Sequence, residues 1–225
     1  MADEMENPLP AARSLIVIVD RARRRLIRLQ LPQHLRMIER AEGMISRAEA
    51  DLLFRLAADA EGCIVEVGSY RGRSTIALAL GAGATPVFAI EPHEAFTGIL
   101  GGMFGPEDRG AFYKAMLRSG AYRNVRLINL SSETVTPGWQ RHVGMLWIDG
   151  DHSYEGVRRD WEAWKPHLAS QAVVAFDDSL DETIGPHRLI RELMASGDLT
   201  AIEQVGKVTA LRRKGSSNNF DDDLA

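Results

Sequence analysis

A single cysteine, Cys63, occurs in 225 residues. No intramolecular disulfide can form, and a cysteine-based zinc site is excluded. That usage suits a reducing compartment, so a cytoplasmic location is expected. An excess of one charge is also missing. Lys and Arg number 27 against 31 Asp and Glu, a net charge of −4, whereas a dedicated nucleic-acid binder carries a basic excess. No apolar run approaches the roughly 20 residues of a membrane span. The strongest early run, 15–19, is stopped by Asp20 and a string of arginines. The acidic start, Met1-Ala2-Asp3-Glu4-Met5-Glu6, lacks the basic-then-apolar order of a secretory signal. There is no internal repeat. Low complexity is confined to 215–223, read as a disordered tail that holds most of the acidic excess in Asp221, Asp222 and Asp223.

Apolar residues make up 45% of the chain, enough for a substantial core, and the length fits one domain with an appendage. Residues 11–60 read as helical. Ser46 before Arg47-Ala48-Glu49 spells a capping box. The basic stretch 21–28 reads as a solvated face, with contact to a phosphate or anionic surface as the sharper alternative.

From Cys63 short β-branched runs alternate with helical stretches. Strands are predicted at 63–67, 86–90, 124–129, 144–148 and 172–176. Helices are predicted to start near Ser74, Glu107, Ser132, Tyr154 and Gly185. This alternation predicts βαβ units and a doubly wound, mostly parallel α/β sheet with helices on both faces. Two last strands, 200–205 and 208–212 around the turn Gly206-Lys207, predict an antiparallel hairpin at one edge. The expected division is a helical extension over 1–60, a core over 61–214 and a tail over 215–225.

Doubly wound sheets bind ligands at the carboxyl ends of their strands. Those ends carry Glu66-Val67-Gly68-Ser69-Tyr70-Arg71-Gly72, then Glu91, Ser131-Ser132-Glu133, Asp149-Gly150-Asp151-His152 and Asp177-Asp178-Ser179. Glycine lets a backbone turn tightly and a ligand approach it. The loop reads E-x-G-x-x-x-G, not the G-x-G-x-x-G of dinucleotide binders, which counts against an NAD-dependent oxidoreductase. The plainer reading is that Gly68 and Gly72 only permit the turn and that Glu91 is a solvated strand end.

With these residues the chain resembles the class I S-adenosylmethionine-dependent methyltransferases, which have a Rossmann-like sheet, over 60–213. The resemblance implies that Glu66, Gly68 and Gly72, with Ser69, Tyr70, Arg71 and Ser74 around them, hold the methionine part of the donor. It implies Glu91 for the ribose, Ser132 for the adenine, and Asp149 facing the methionine ammonium.

Asp149, Asp177 and Asp178 should meet, because their strands should be neighbours. Crowded carboxylates repel and protonate unless a cation is present. Oxygen donors without cysteine favour Mg²⁺, with Mn²⁺ or Ca²⁺ as alternatives. The pattern resembles the metal-dependent O-methyltransferases, which implies Asp149, Asp177 and Asp178 as metal ligands. Catechol-type members have a Lys where this chain has His152. The string Ile148-Asp149-Gly150-Asp151-His152-Ser153-Tyr154 is closer to the sugar O-methyltransferases, which act on macrolide sugars, aminocoumarin sugars and mycobacterial methylmannose polysaccharide.

The implied function is transfer of a methyl group to a hydroxyl of a small acceptor, a sugar or oligosaccharide, by a homodimer. His152 is the first choice for general base and Asp149 the second. Capping of the helix at Tyr154 is the plain alternative for His152, and capping by Asp177 or Asp178 without metal is that for the pair. His93 and His187 are placed within reach of the rim. Residues 95–110 and the N-terminal helices are candidate covers for the acceptor, and Tyr70, Trp147 and Tyr154 a candidate aromatic platform. A metal-independent methyltransferase acting on a non-sugar molecule remains the other reading.

Overall fold

The computed structural model describes residues 31–214. The N-terminal expectations for 1–30, including the basic stretch, and the tail at 215–225 lie outside the described residues. Two helices come first, α1 (Leu31–Ile38) and α2 (Arg47–Ala58). The capping box forms as the sequence predicts. Glu49 N–H donates to Ser46 Oγ at 3.3 Å, and Ser46 N–H donates back to Glu49 Oε2 at 2.6 Å.

Strand β1 (Cys63–Val67) leads into α3 (Arg73–Ala82), and β2 (Val87–Ile90) follows. A two-strand hairpin, β3 (Phe96–Thr97) and β4 (Met103–Phe104), precedes α4 (Pro106–Ser119). Next come β5 (Val125–Ile128), the short α5 (Ser132–Val135), β6 (Val143–Ile148) and α6 (Tyr154–Trp164). The described residues close with β7 (Leu168–Phe176), α7 (Gly185–Ser196), β8 (Leu199–Val205) and β9 (Val208–Arg213). The main sheet runs β5-β2-β1-β6-β7-β9-β8. Its first five strands are parallel, and β9 pairs antiparallel with both β7 and β8.

β1 and β6 are buried at every position, because helices cover both faces of the sheet. Successive side chains therefore feed two cores. On one face Ile64, Met145 and Trp147 pack with Leu52, Leu53 and Leu78. On the other Val65, Leu146 and Ile148 pack with Trp161, Trp164 and Leu189. The helices before β1 thus supply part of the first core.

From Cys63 on the predicted strands and helices are all present, with boundaries shifted by a few residues at most, while the described part of 11–60 holds α1 and α2 with a non-helical link between them. The stretch 95–110, read as a candidate cover, has structure of its own. It folds back as the β3–β4 hairpin and then enters α4 at Pro106, where a missing N–H costs nothing. Among the described residues no helix is long and apolar enough to cross a membrane.

Candidate active site

A cavity of about 540 Å³ opens at the carboxyl ends of β1, β2, β5, β6 and β7. Gly68, Ser69, Tyr70, Ser74, Glu91 and Ser132 line one part of it, and Asp149, His152, Asp177 and Asp178 another. All ten are residues singled out in the sequence.

The loop after β1 needs its glycines for two different reasons. Gly68 has φ +85°, and a Cβ there would stand 2.1 Å from the Asp149 carbonyl oxygen. Only hydrogen lets the ends of β1 and β6 approach so closely. Gly72 has φ +91° and backs onto α4, where a Cβ would meet Met116 Cε at 2.6 Å. It therefore shapes the loop without facing the cavity.

Three of the expected donor-site residues do not line the cavity. Glu66 is fully buried beneath the loop and does not line the cavity, because Thr75 Oγ1 donates to its Oε2 at 2.5 Å. Burial pushes its carboxyl up to about 7. Arg71 turns away from the cavity, where its Nε meets Asp108 Oδ1 at 2.7 Å and its Nη1 meets Glu42. Gly72 is the third, for the reason just given.

Glu91 is held from below rather than solvated. Tyr70 N–H donates to Oε2 at 3.2 Å and His93 N–H to Oε1 at 2.9 Å. His93 is buried with φ +52° and does not reach the cavity. Its Nε2 lies 2.9 Å from the Tyr70 carbonyl and its Nδ1 3.0 Å from Asn129 Nδ2. Those partners suit a ring that donates from Nε2 and accepts at Nδ1. Asn129 also donates to the Glu91 carbonyl at 2.9 Å. One histidine and one asparagine thus tie the glycine loop to the end of β2. His187 likewise misses the cavity; its Nδ1 lies 3.1 Å from the Ser179 carbonyl.

Ser132 is buried, and Trp164 Nε1–H donates to its Oγ at 3.1 Å. Ser132 in turn bonds to Asp160, a cavity-lining carboxyl that sequence reasoning passed over. Burial pushes Asp160 up to about 6. The aromatic platform is reduced to Tyr70. Trp147 is wholly buried in the core, and Tyr154 leaves the cavity to donate from its hydroxyl to Glu192 at 2.6 Å.

In the same cavity one ligand atom each from Asp149, His152 and Asp177 lies within 4.8 Å of the others. His152 Nε2 stands 3.2 Å from Asp178 Oδ2 and 3.7 Å from Asp149 Oδ1. His152 does not cap α6. Ser153 does so, with Gly156 N–H donating to its Oγ at 3.0 Å, while Asp151 accepts from Ser153 N–H and Oγ–H at 2.9 Å. Asp178 has φ +46°, a left-handed strain that turns its carboxylate into the cluster.

Burial, with the Asp177 carboxylate beside it, holds Asp149 well above the usual carboxylate range. Burial also raises Asp177, against the opposing pull of Lys207. Lys207 was read only as a turn residue. Its Nζ lies 2.6 Å from Asp177 Oδ2 and 3.0 Å from Asp178 Oδ1. Burial opposes its charge, yet these two carboxylates hold it protonated beyond its usual range. One buried carboxylate oxygen of the cluster, Asp177 Oδ1, has no hydrogen-bond partner. Such an oxygen among further carboxylates fits a divalent cation. Two of the three expected ligands are already engaged, Asp177 by Lys207 on one oxygen and Asp178 by Lys207 on one and His152 on the other.

A parallel sheet closed by an antiparallel hairpin, with a glycine loop after its first strand and a pinned acid after its second, defines the Rossmann-like methyltransferase fold. Residues 65–179, more than half of the chain, match the family described as "Methyltransferase domain", and the chain belongs to that family. This sets aside the oxidoreductase reading. A curated relative, uncharacterized protein y4gI of Sinorhizobium fredii, is 32% identical over 124 residues, 52% of this chain. The match spans only 13% of that protein's length. Among solved structures, SAH-bound PaMTH1 of Podospora anserina superposes with a TM-score of 0.59 at 15% identity, covering 95% of this chain and all of that one. CalS11, a TDP-rhamnose 3′-O-methyltransferase of calicheamicin biosynthesis, gives 0.56 at 18% identity, over 73% of this chain and 77% of its own. At these identities the likeness to solved structures is one of fold.

Proposed function

We propose that the protein transfers a methyl group from S-adenosylmethionine to a hydroxyl of a small acceptor, a sugar or saccharide, with Mg²⁺ at the acid cluster. The observation that carries this reading is the convergence of Asp149, His152, Asp177 and Asp178 in the same cavity that the glycine loop and Glu91 line. The family membership supports the methyl donor. The names of PaMTH1's ligand and CalS11's substrate support the donor and the acceptor class by analogy of fold.

In this reading the loop from Gly68 to Tyr70 and Ser74 receive the methionine part, Glu91 the ribose hydroxyls and Ser132 the adenine. Asp149, Asp177 and Asp178 hold the metal. When bound, the metal lowers the pKa of a hydroxyl oxygen and fixes its position. His152 takes the hydroxyl proton, with Asp178 and Asp149 beside the imidazole to steady the charge it gains. The cavity walls hold the oxygen in line with the departing sulfur. The β3–β4 hairpin, with Ile99 and Leu100 exposed at its tip, borders the cavity and would cover the acceptor.

Calorimetric titration with S-adenosylmethionine tests the donor half. Binding is expected in the wild type and at least about tenfold weaker in Glu91→Ala, the order of one lost charge-assisted contact. Absence of binding would remove the reading.

A further inference from the structure

Lys207 is delivered to the acid cluster by a turn that three hydrogen bonds hold in place. Its backbone N–H donates to Glu49 Oε1 at 2.9 Å. Its carbonyl accepts from Ser179 N–H at 2.9 Å and from Ser179 Oγ–H at 2.7 Å. Glu49 is itself fixed by the capping box of α2. The ammonium therefore rests on a built support that joins α2, the segment after β7 and the β8–β9 turn. It occupies Asp177 Oδ2 and Asp178 Oδ1, yet leaves Asp177 Oδ1 buried without a partner. A divalent ion on the same carboxylates would lie against this ammonium, and like charges so close repel strongly.

We propose that Lys207 and a divalent cation occupy Asp177 and Asp178 alternately. The ammonium is the resident counter-ion that keeps both carboxylates in place without metal, and it withdraws from Asp177 when metal enters. The proposal rests on the metal part of the function proposed above.

Mn²⁺ titration of the full chain, followed by the paramagnetic signal of the free ion, tests it alongside thermal melting in EDTA and in Mg²⁺. Lys207→Met is expected to bind Mn²⁺ at least tenfold more tightly than the wild type. It should melt several degrees lower in EDTA and recover in Mg²⁺, and Lys207→Arg should resemble the wild type in both. Unchanged Mn²⁺ affinity in Lys207→Met overturns the alternation alone, as does wild-type melting in EDTA. If neither protein binds Mn²⁺ and Mg²⁺ restores nothing, the alternation and the metal reading fall together.

Discussion

At the residue scale, each chemical group owes its state to what surrounds it. His152 sits among carboxylates, with its Nε2 3.2 Å from Asp178 Oδ2 and 3.7 Å from Asp149 Oδ1. His152→Ala is expected to lower kcat by about 10²–10⁴-fold, the usual worth of a positioned base, with donor affinity unchanged. Steady-state rates and calorimetry would separate the two. Glu66 behaves differently, because burial raises its carboxyl to about 7. A folded-state value above the unfolded one gives stability that is complete at low pH. That stability is lost as pH rises from the unfolded value through about 7. Glu66→Gln removes the ionisation, so its denaturation midpoint should gain on the wild type across that window, by up to about 3 kcal/mol.

Two residues of the site were hidden from a linear reading. Lys207 looked like half of a tight turn. The β7–β9 register pairs Phe176 with Thr209, and extending it sets Lys207 opposite Asp178. That signal appears only once the antiparallel pairing is known. Asp160 lay inside an amphipathic helix with nothing to mark which face it took. The directions of Glu66 and Arg71 were not legible, because a loop motif names residues and not directions. The first points into the protein at Thr75, and the second out to Asp108.

At the scale of elements, the helix before the sheet and the hairpin after it support each other. Glu49 closes the capping box of α2 through one oxygen and accepts the Lys207 N–H through the other. Glu49→Ala removes both, and the loss in urea unfolding is expected to be about 1–3 kcal/mol. A simple helix cap would account for only the lower part of that range. The elements were legible because helices on both faces leave the strand bodies mostly apolar, so runs of polar residues mark where strands end. The β3–β4 hairpin was not legible. Its two-residue strands are too short for alternation to show, and glycines at 98, 101 and 102 read as a plain connector.

At the scale of the whole molecule, α2 and α3 are pressed together at Gly81, where a Cβ would stand 2.1 Å from the Phe54 carbonyl oxygen. Gly81→Val forces that pair apart. It is expected to cost about 1–3 kcal/mol or more by the usual measure of overpacking. Chemical denaturation would read the loss, and a variant as stable as the wild type would show that α2 docks loosely. This packing changes the meaning of the helical stretch before the sheet. Composition marks it as separate from the alternating region, while the fold uses its Leu52 and Leu53 as core. The overall topology was legible because strand–helix alternation and a terminal hairpin admit few arrangements. The convergence of five strand ends on one cavity follows from that topology.

The central claim is that this cavity transfers a methyl group to a sugar hydroxyl with help from a divalent ion on its acid cluster. The direct measurement is the initial rate of labelled methyl transfer from S-adenosylmethionine to a panel of nucleotide sugars and free saccharides, with Mg²⁺ and with EDTA. Transfer to a saccharide hydroxyl that falls at least about a hundredfold in EDTA and returns with Mg²⁺ is the predicted result. Transfer that proceeds unchanged in EDTA, or reaches no saccharide on the panel, would contradict it.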